Sequence, residues 1–85
     1  MTKILIVDDE ESILSPLEEM LTNEGYRVRA FDNPQKALEL LRTQEFDLAI
    51  FDIKMPEMNG YELLGASRAI RPNLPVIFLS SKHEE

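Results

Sequence analysis

The chain has 85 residues, 16 acidic against 9 basic side chains, a formal net charge of -7 and no cysteine. That length bounds it to one domain at most, and the charge argues against nucleic-acid binding through a basic face. Without cysteine there are no disulfides, thiolate metal sites or thiol nucleophiles, which fits a cytoplasmic protein.

The first predicted strand is Ile4-Leu5-Ile6-Val7. This apolar run stops at two aspartates and is too short for a signal peptide or a transmembrane helix. Asp8-Asp9-Glu10-Glu11 follows as a run of carboxylates. Acids at a helix start complement the macrodipole, which accounts for Glu10 and Glu11. It accounts less well for two aspartates held at a strand end.

The first helix is expected over roughly residues 12–24, with Ile13, Leu14, Leu17, Met20 and Leu21 as its apolar stripe and Gly25 as its stop. Pro16 leaves two starts open. The helix begins near Ser12 and the proline removes an early hydrogen bond, or Ser15 is the cap, Pro16 the first helical residue and Glu18 the return partner.

Residues 26–31 alternate: Tyr26, Val28 and Ala30 on one face, Arg27, Arg29 and Phe31 on the other. Two arginines on one face suggest an edge strand with a solvated side. Asn33-Pro34 starts a second helix, with Ala37, Leu38, Leu41 and Leu40 as its stripe. The central strand begins near Asp47 and runs through Leu48-Ala49-Ile50-Phe51 to Asp52. A run this apolar reads as a strand buried on both faces.

After Asp52 a loop leads to Asn59, the expected cap of the third helix, with Glu62 as its return partner. Tyr61, Leu64, Ala69 and Ile70 are assigned to the buried side of that helix, with Leu63 a further candidate, and Pro72 ends it. Pro75-Val76-Ile77-Phe78-Leu79 is the fourth strand, leading into Ser80-Ser81. His83, the only histidine, falls in a polar tail and is read as solvated.

Helices between strands imply parallel pairing with right-handed crossovers. Strand two alternates while the others are apolar, so it belongs at an edge beside strand one, giving the order 2-1-3-4. The winding then reverses between strands one and three, where open α/β sheets bind ligands. Asp8, Asp9 and Asp52 fall in that crevice, and Ser80 lies at the same end of the neighbouring strand.

Three carboxylates in one crevice raise one another's pKa unless a cation neutralises them. All-oxygen ligation with few protein ligands favours Mg²⁺. Such an ion also holds phosphoryl oxygens, and one aspartate can attack phosphorus to become an acyl phosphate. Asp52, on the central strand, is the chosen nucleophile. Ser80 is placed to hydrogen-bond a phosphoryl oxygen.

These residues resemble the receiver domain of two-component response regulators. The resemblance rests on the segments 4–10, 47–56, Asn59-Gly60 and 75–81 taken together. It implies a flavodoxin-like doubly wound α/β sheet. It also implies that Asp52 takes a phosphoryl group from a histidine kinase or phosphotransfer protein. Asp9 and Asp52 would then contact Mg²⁺ directly, Asp8 through water, and the Lys54 backbone carbonyl would supply a further oxygen. Ser80 matches the Ser/Thr that follows the phosphoryl group in the family's switch.

The family's pattern continues with a helix, a fifth strand and a final helix. Residues 1–85 are therefore expected to be the N-terminal part of a receiver, without the fifth-strand lysine that pairs with phosphoryl oxygens. Neither Lys54 nor Lys82 is assigned that role. Strand four and the stripe around Leu14, Leu17 and Leu21 would be bared, and the chain would self-associate or fold only in part. Two rival functions follow. One is a receiver-shaped interaction module with impaired phosphotransfer. The other is an aspartyl phosphatase, disfavoured because Lys54 stands where those enzymes place a second aspartate.

Overall fold

The computed structural model describes residues 1–80. Four strands and three helices alternate: β1 Lys3–Val7, α1 Glu11–Asn23, β2 Arg27–Phe31, α2 Pro34–Thr43, β3 Leu48–Asp52, α3 Gly60–Ile70 and β4 Val76–Leu79. All three strand pairs are parallel, in the order β2-β1-β3-β4. The doubly wound sheet expected from the apolar pattern is therefore what forms. Ser81, Lys82 and His83 lie outside the described residues.

Strand alternation sends side chains to two cores. Ile4 and Ile6 of β1 join Leu14 of α1, with Leu17, Leu21, Val28, Ala30, Leu48 and Ile50 packed around them. Leu5 and Val7 face the opposite way, into a larger core with Ala37, Leu38 and Leu41 of α2 and Leu63 of α3. The sheet is thus covered by α1 on one side and by α2 and α3 on the other. Arg71 fastens the second layer: its Nε donates to the Leu41 carbonyl oxygen at 2.9 Å.

Several details differ from the sequence reading, each for a physical reason. The first helix starts at Glu11, one residue from the start expected near Ser12, and keeps Pro16 inside it; the later start, with Ser15 as cap and Pro16 as the first helical residue, is not adopted. Pro16 is exposed, where the missing hydrogen bond is exchanged for water. Met20, assigned to the buried stripe, is 54% exposed because the small core under α1 does not extend beneath it.

Helix α3 is turned relative to expectation. Gly60, Leu63 and Ser67 form its buried side, Ala66 and Ile70 pack alongside, and Tyr61 and Ala69 are exposed. A serine in the middle of the buried stripe concealed its phase. Strand β4 is also less buried than a central strand. Ile77 points to the α1 side of the sheet, beyond the reach of α1, and is 52% exposed.

Ser67 is fully buried, and its hydroxyl has no hydrogen-bond partner among the described residues. A buried unpartnered hydroxyl opposes folding, and alanine is the better helix former. Ser67→Ala is expected to stabilise the protein by about 1 kcal/mol in urea unfolding. A loss of stability on this substitution would show that the hydroxyl holds a partner.

Among the described residues no helix is long and apolar enough to cross a membrane.

Candidate functional site

The site lies at the carboxyl end of the sheet, where β1 and β3 run side by side. Val7 is level with Phe51, so Asp8 falls next to Asp52, the last residue of β3. Alternation puts Asp8 on the same face as Ile4 and Ile6, and Asp52 on the same face as Leu48 and Ile50. Both carboxylates therefore stand on the α1 side, at the point where the winding reverses.

The backbone around them is pinned. The Asp8 N–H donates to the Phe31 carbonyl at 3.1 Å, and the Ile53 N–H donates to the Leu79 carbonyl at 3.0 Å. One Asp8 carboxylate oxygen accepts the Glu10 N–H at 2.9 Å, a turn that opens the way into α1. The other is buried with no hydrogen-bond partner among the described residues.

Asp8, Asp9 and Asp52 each bring one carboxylate oxygen to within 4.8 Å of the others. Asp8 and Asp52 are buried and Asp9 is half-buried. Burial is the largest influence on Asp8. Its pKa rises from 3.8 to about 6, partly opposed by the Glu10 N–H and reinforced by the negative charges of Asp52, Asp9 and Glu10.

Lys54 is exposed in the loop after β3, and with Asp9, Met55, Pro56, Asn59 and Tyr61 it lines an open hollow beside the acids. Ser80 follows β4 at the same end of the sheet. It is exposed, and its hydroxyl makes no hydrogen bond among the described residues. The fold thus gathers the three aspartates, sets Lys54 at their rim and leaves Ser80 nearby without a bond to them.

One residue of the site was not singled out for the site by sequence. Gly60 begins α3, and its N–H donates to the Ile53 carbonyl at 2.9 Å. A Cβ there would stand 2.6 Å from the Asp52 carbonyl oxygen. The loop carrying Lys54 is therefore closed directly onto the backbone of Asp52. Its other anchor is the expected capping box: the Asn59 side chain accepts the Glu62 N–H at 2.9 Å, and Glu62 accepts the Asn59 N–H at 3.0 Å.

Residues 4–85 match the response regulator receiver domain. The chain belongs to that family. Response regulator SaeR of Staphylococcus aureus (strain USA300) is 35% identical to this receiver across all 85 residues, which span 37% of SaeR. Two solved structures concern TrrA, which is 36% identical in each. One is of histidine kinase ThkA in complex with response regulator protein TrrA; it covers 99% of this receiver and 72% of that chain, with a TM-score of 0.87. The other is of TrrA from Thermotoga maritima in complex with Mg²⁺-BeF; it covers 96% of this receiver and 71% of that chain, again with a TM-score of 0.87.

The donor set suits a small hard cation. All three side chains offer carboxylate oxygens, and the orphaned Asp8 oxygen is a buried acceptor that needs a cation, a proton or a water donor.

Proposed function

We propose that this receiver accepts a phosphoryl group on Asp52 from the phosphohistidine of a partner kinase, in a Mg²⁺-dependent reaction. The observation that carries the reading is the convergence of three carboxylate oxygens within 4.8 Å at the crevice of a receiver sheet. Residues 1–85 are read as the N-terminal part of that domain. Its role is regulatory rather than turnover of a substrate, and its compartment is the cytoplasm. The structures of TrrA with a histidine kinase and with Mg²⁺-BeF support both the kind of partner and the ion.

Asp9 and Asp52 would hold the ion directly, Asp8 through water, and the Lys54 carbonyl would add an oxygen. When bound, Mg²⁺ neutralises the carboxylates and offsets charge on the phosphoryl oxygens. An Asp52 carboxylate oxygen attacks phosphorus as the bond to the histidine nitrogen breaks. The bonding electron pair leaves with the imidazole. An acyl phosphate remains on Asp52, in line with activation of a carboxylate nucleophile by a nearby metal. The Ser80 hydroxyl donates to a phosphoryl oxygen, coupling β4 to the modified state. Phosphorylation would then bias a bistable surface elsewhere in the domain.

Intact-mass analysis after incubation with acetyl phosphate tests this. A single phosphoryl addition is expected with Mg²⁺, none after chelation, and none in Asp52→Ala. Persistence of the addition in Asp52→Ala would rule out Asp52 as the acceptor.

A further inference from the structure

We infer that the open edge of β2 is a docking groove for an extended acidic segment of a partner protein, added to the sheet as a further strand. This surface is separate from the three aspartates.

The backbone comes first. The Arg27 N–H donates to the Thr2 carbonyl at 2.9 Å, and the Phe31 carbonyl accepts from the Asp8 N–H. Residues 27, 29 and 31 therefore turn their main-chain groups toward β1. A parallel ladder uses alternate residues for each neighbour, so Val28 and Ala30 turn theirs outward. β2 is an outer strand of the described sheet; Val28 lines the groove, and Ala30 follows it along the same edge. An incoming strand would satisfy their main-chain groups, the usual source of affinity in strand addition.

The groove has two different walls. Lys3, Arg27, Arg29 and Gln44 line one side, and Glu18 and Thr22 of α1 line the other, around a hollow of about 640 Å³. Neither Arg27 nor Arg29 has a salt-bridge partner among the described residues. Arg29 is steadied by its guanidinium lying 5.5 Å from the centre of the Phe31 ring. Lys3 is held in the same way, its ammonium 5.3 Å from the Phe46 ring. In a chain of net charge -7, these cations on one strip make a local exception.

Charge and spacing together define the occupant. Arg27 and Arg29 are two positions apart on one face, so their stems stand roughly 7 Å apart. Carboxylates at alternate positions of an extended partner match that interval. The intervening residues face the α1 side, over half-buried Val28 and Ala30 and near the Glu18 carboxylate, so they should be apolar and not acidic. Arginines on an edge deter apolar or basic strands, and the same arginines select an acidic one. β4 forms the other outer strand of the described sheet, but it has no charged side chain of its own to specify an occupant.

A short fluorescent peptide alternating Glu and Val tests the inference with the full chain. Anisotropy should report binding that weakens with salt. Amide NMR shifts should concentrate at residues 27–31 and spare β4. The double substitution Arg27→Glu with Arg29→Glu, on exposed side chains, should lower affinity about tenfold or more. A peptide of the same composition with Glu and Val in blocks should bind far more weakly. So should one N-methylated at alternate residues, which cannot complete the ladder. Absence of binding, shifts confined elsewhere, or indifference to the charge reversal would each overturn the proposal. Equal binding of the blocked or N-methylated peptide, or equal competition by a single-stranded oligonucleotide, would overturn the strand-addition reading. None of these readouts depends on phosphorylation of Asp52, so the groove and the phosphoacceptor succeed or fail separately.

Discussion

Gly60→Ala is expected to destabilise the protein by about 3 kcal/mol and to weaken Mg²⁺ binding at the three aspartates at least tenfold. The new Cβ would meet the Asp52 carbonyl oxygen at 2.6 Å and the Ile53 Cα at 3.0 Å. Both neighbours are backbone, so no side chain can rotate aside. Either α3 lifts off β3, stretching the 2.9 Å hydrogen bond from Gly60 to Ile53, or the strand end that carries Asp52 gives way. Each response disturbs the carboxylate that anchors the site. Gly65→Ala in the same helix is the control. Nothing lies within 4 Å of a Cβ at Gly65, and the residue is exposed, so alanine should add up to about 1 kcal/mol of stability there. Urea unfolding and Mg²⁺ titration of the two variants measure both effects. Equal behaviour of the two substitutions would mean that the approach of Gly60 to Asp52 has no consequence.

What could be read from the sequence was what local chemistry specifies. Asn59 and Glu62 form their reciprocal cap because the spacing alone brings the side chains to the backbone donors. The crevice acids were legible because apolar strands ending in aspartate leave few other places for Asp8 and Asp52 once the sheet order is known. What stayed hidden depends on neighbours distant in the chain. The phase of α3 was lost because Ser67 occupies a buried position where an apolar residue would have marked the stripe. Helix α1 begins after Glu10, whose side chain makes no capping hydrogen bond, so the acidic run alone marked its start and Pro16 left a second start open. Gly60 could be read as a helix start, but its contact with Asp52 exists only when β3 and α3 are together. Arg71 gave no hint that it would reach the Leu41 carbonyl, thirty positions away.

Without Mg²⁺, the contribution of Asp8 to stability is expected to fall by about 3 kcal/mol as pH rises from about 4 through 6. Burial raises the pKa of Asp8 from 3.8 to about 6 in the folded protein, with the neighbouring acids adding to the effect. Between those values the folded state holds a proton that the unfolded state has lost. Stability therefore declines with rising pH across this window and levels off above it, the reverse of an aspartate whose pKa is depressed. Mg²⁺ bound by the carboxylates should restore the loss near neutral pH, and its affinity should drop below pH 6, where Asp8 takes up a proton. Asp8→Asn removes this titration together with the coupling of Asp8 to Asp52 and Asp9. The variant should match the wild type near pH 4 and exceed it near neutral pH in the absence of metal, by a margin worth roughly 10 °C or more in melting temperature. It should also gain less from Mg²⁺, because the carboxylate proposed to hold the ion through water has lost its charge. Thermal melts of both proteins across pH, with Mg²⁺ and with chelator, decide the matter. An Asp8→Asn protein less stable than the wild type near neutral pH without metal would mean that the carboxylate is held by a donor and is not strained by burial.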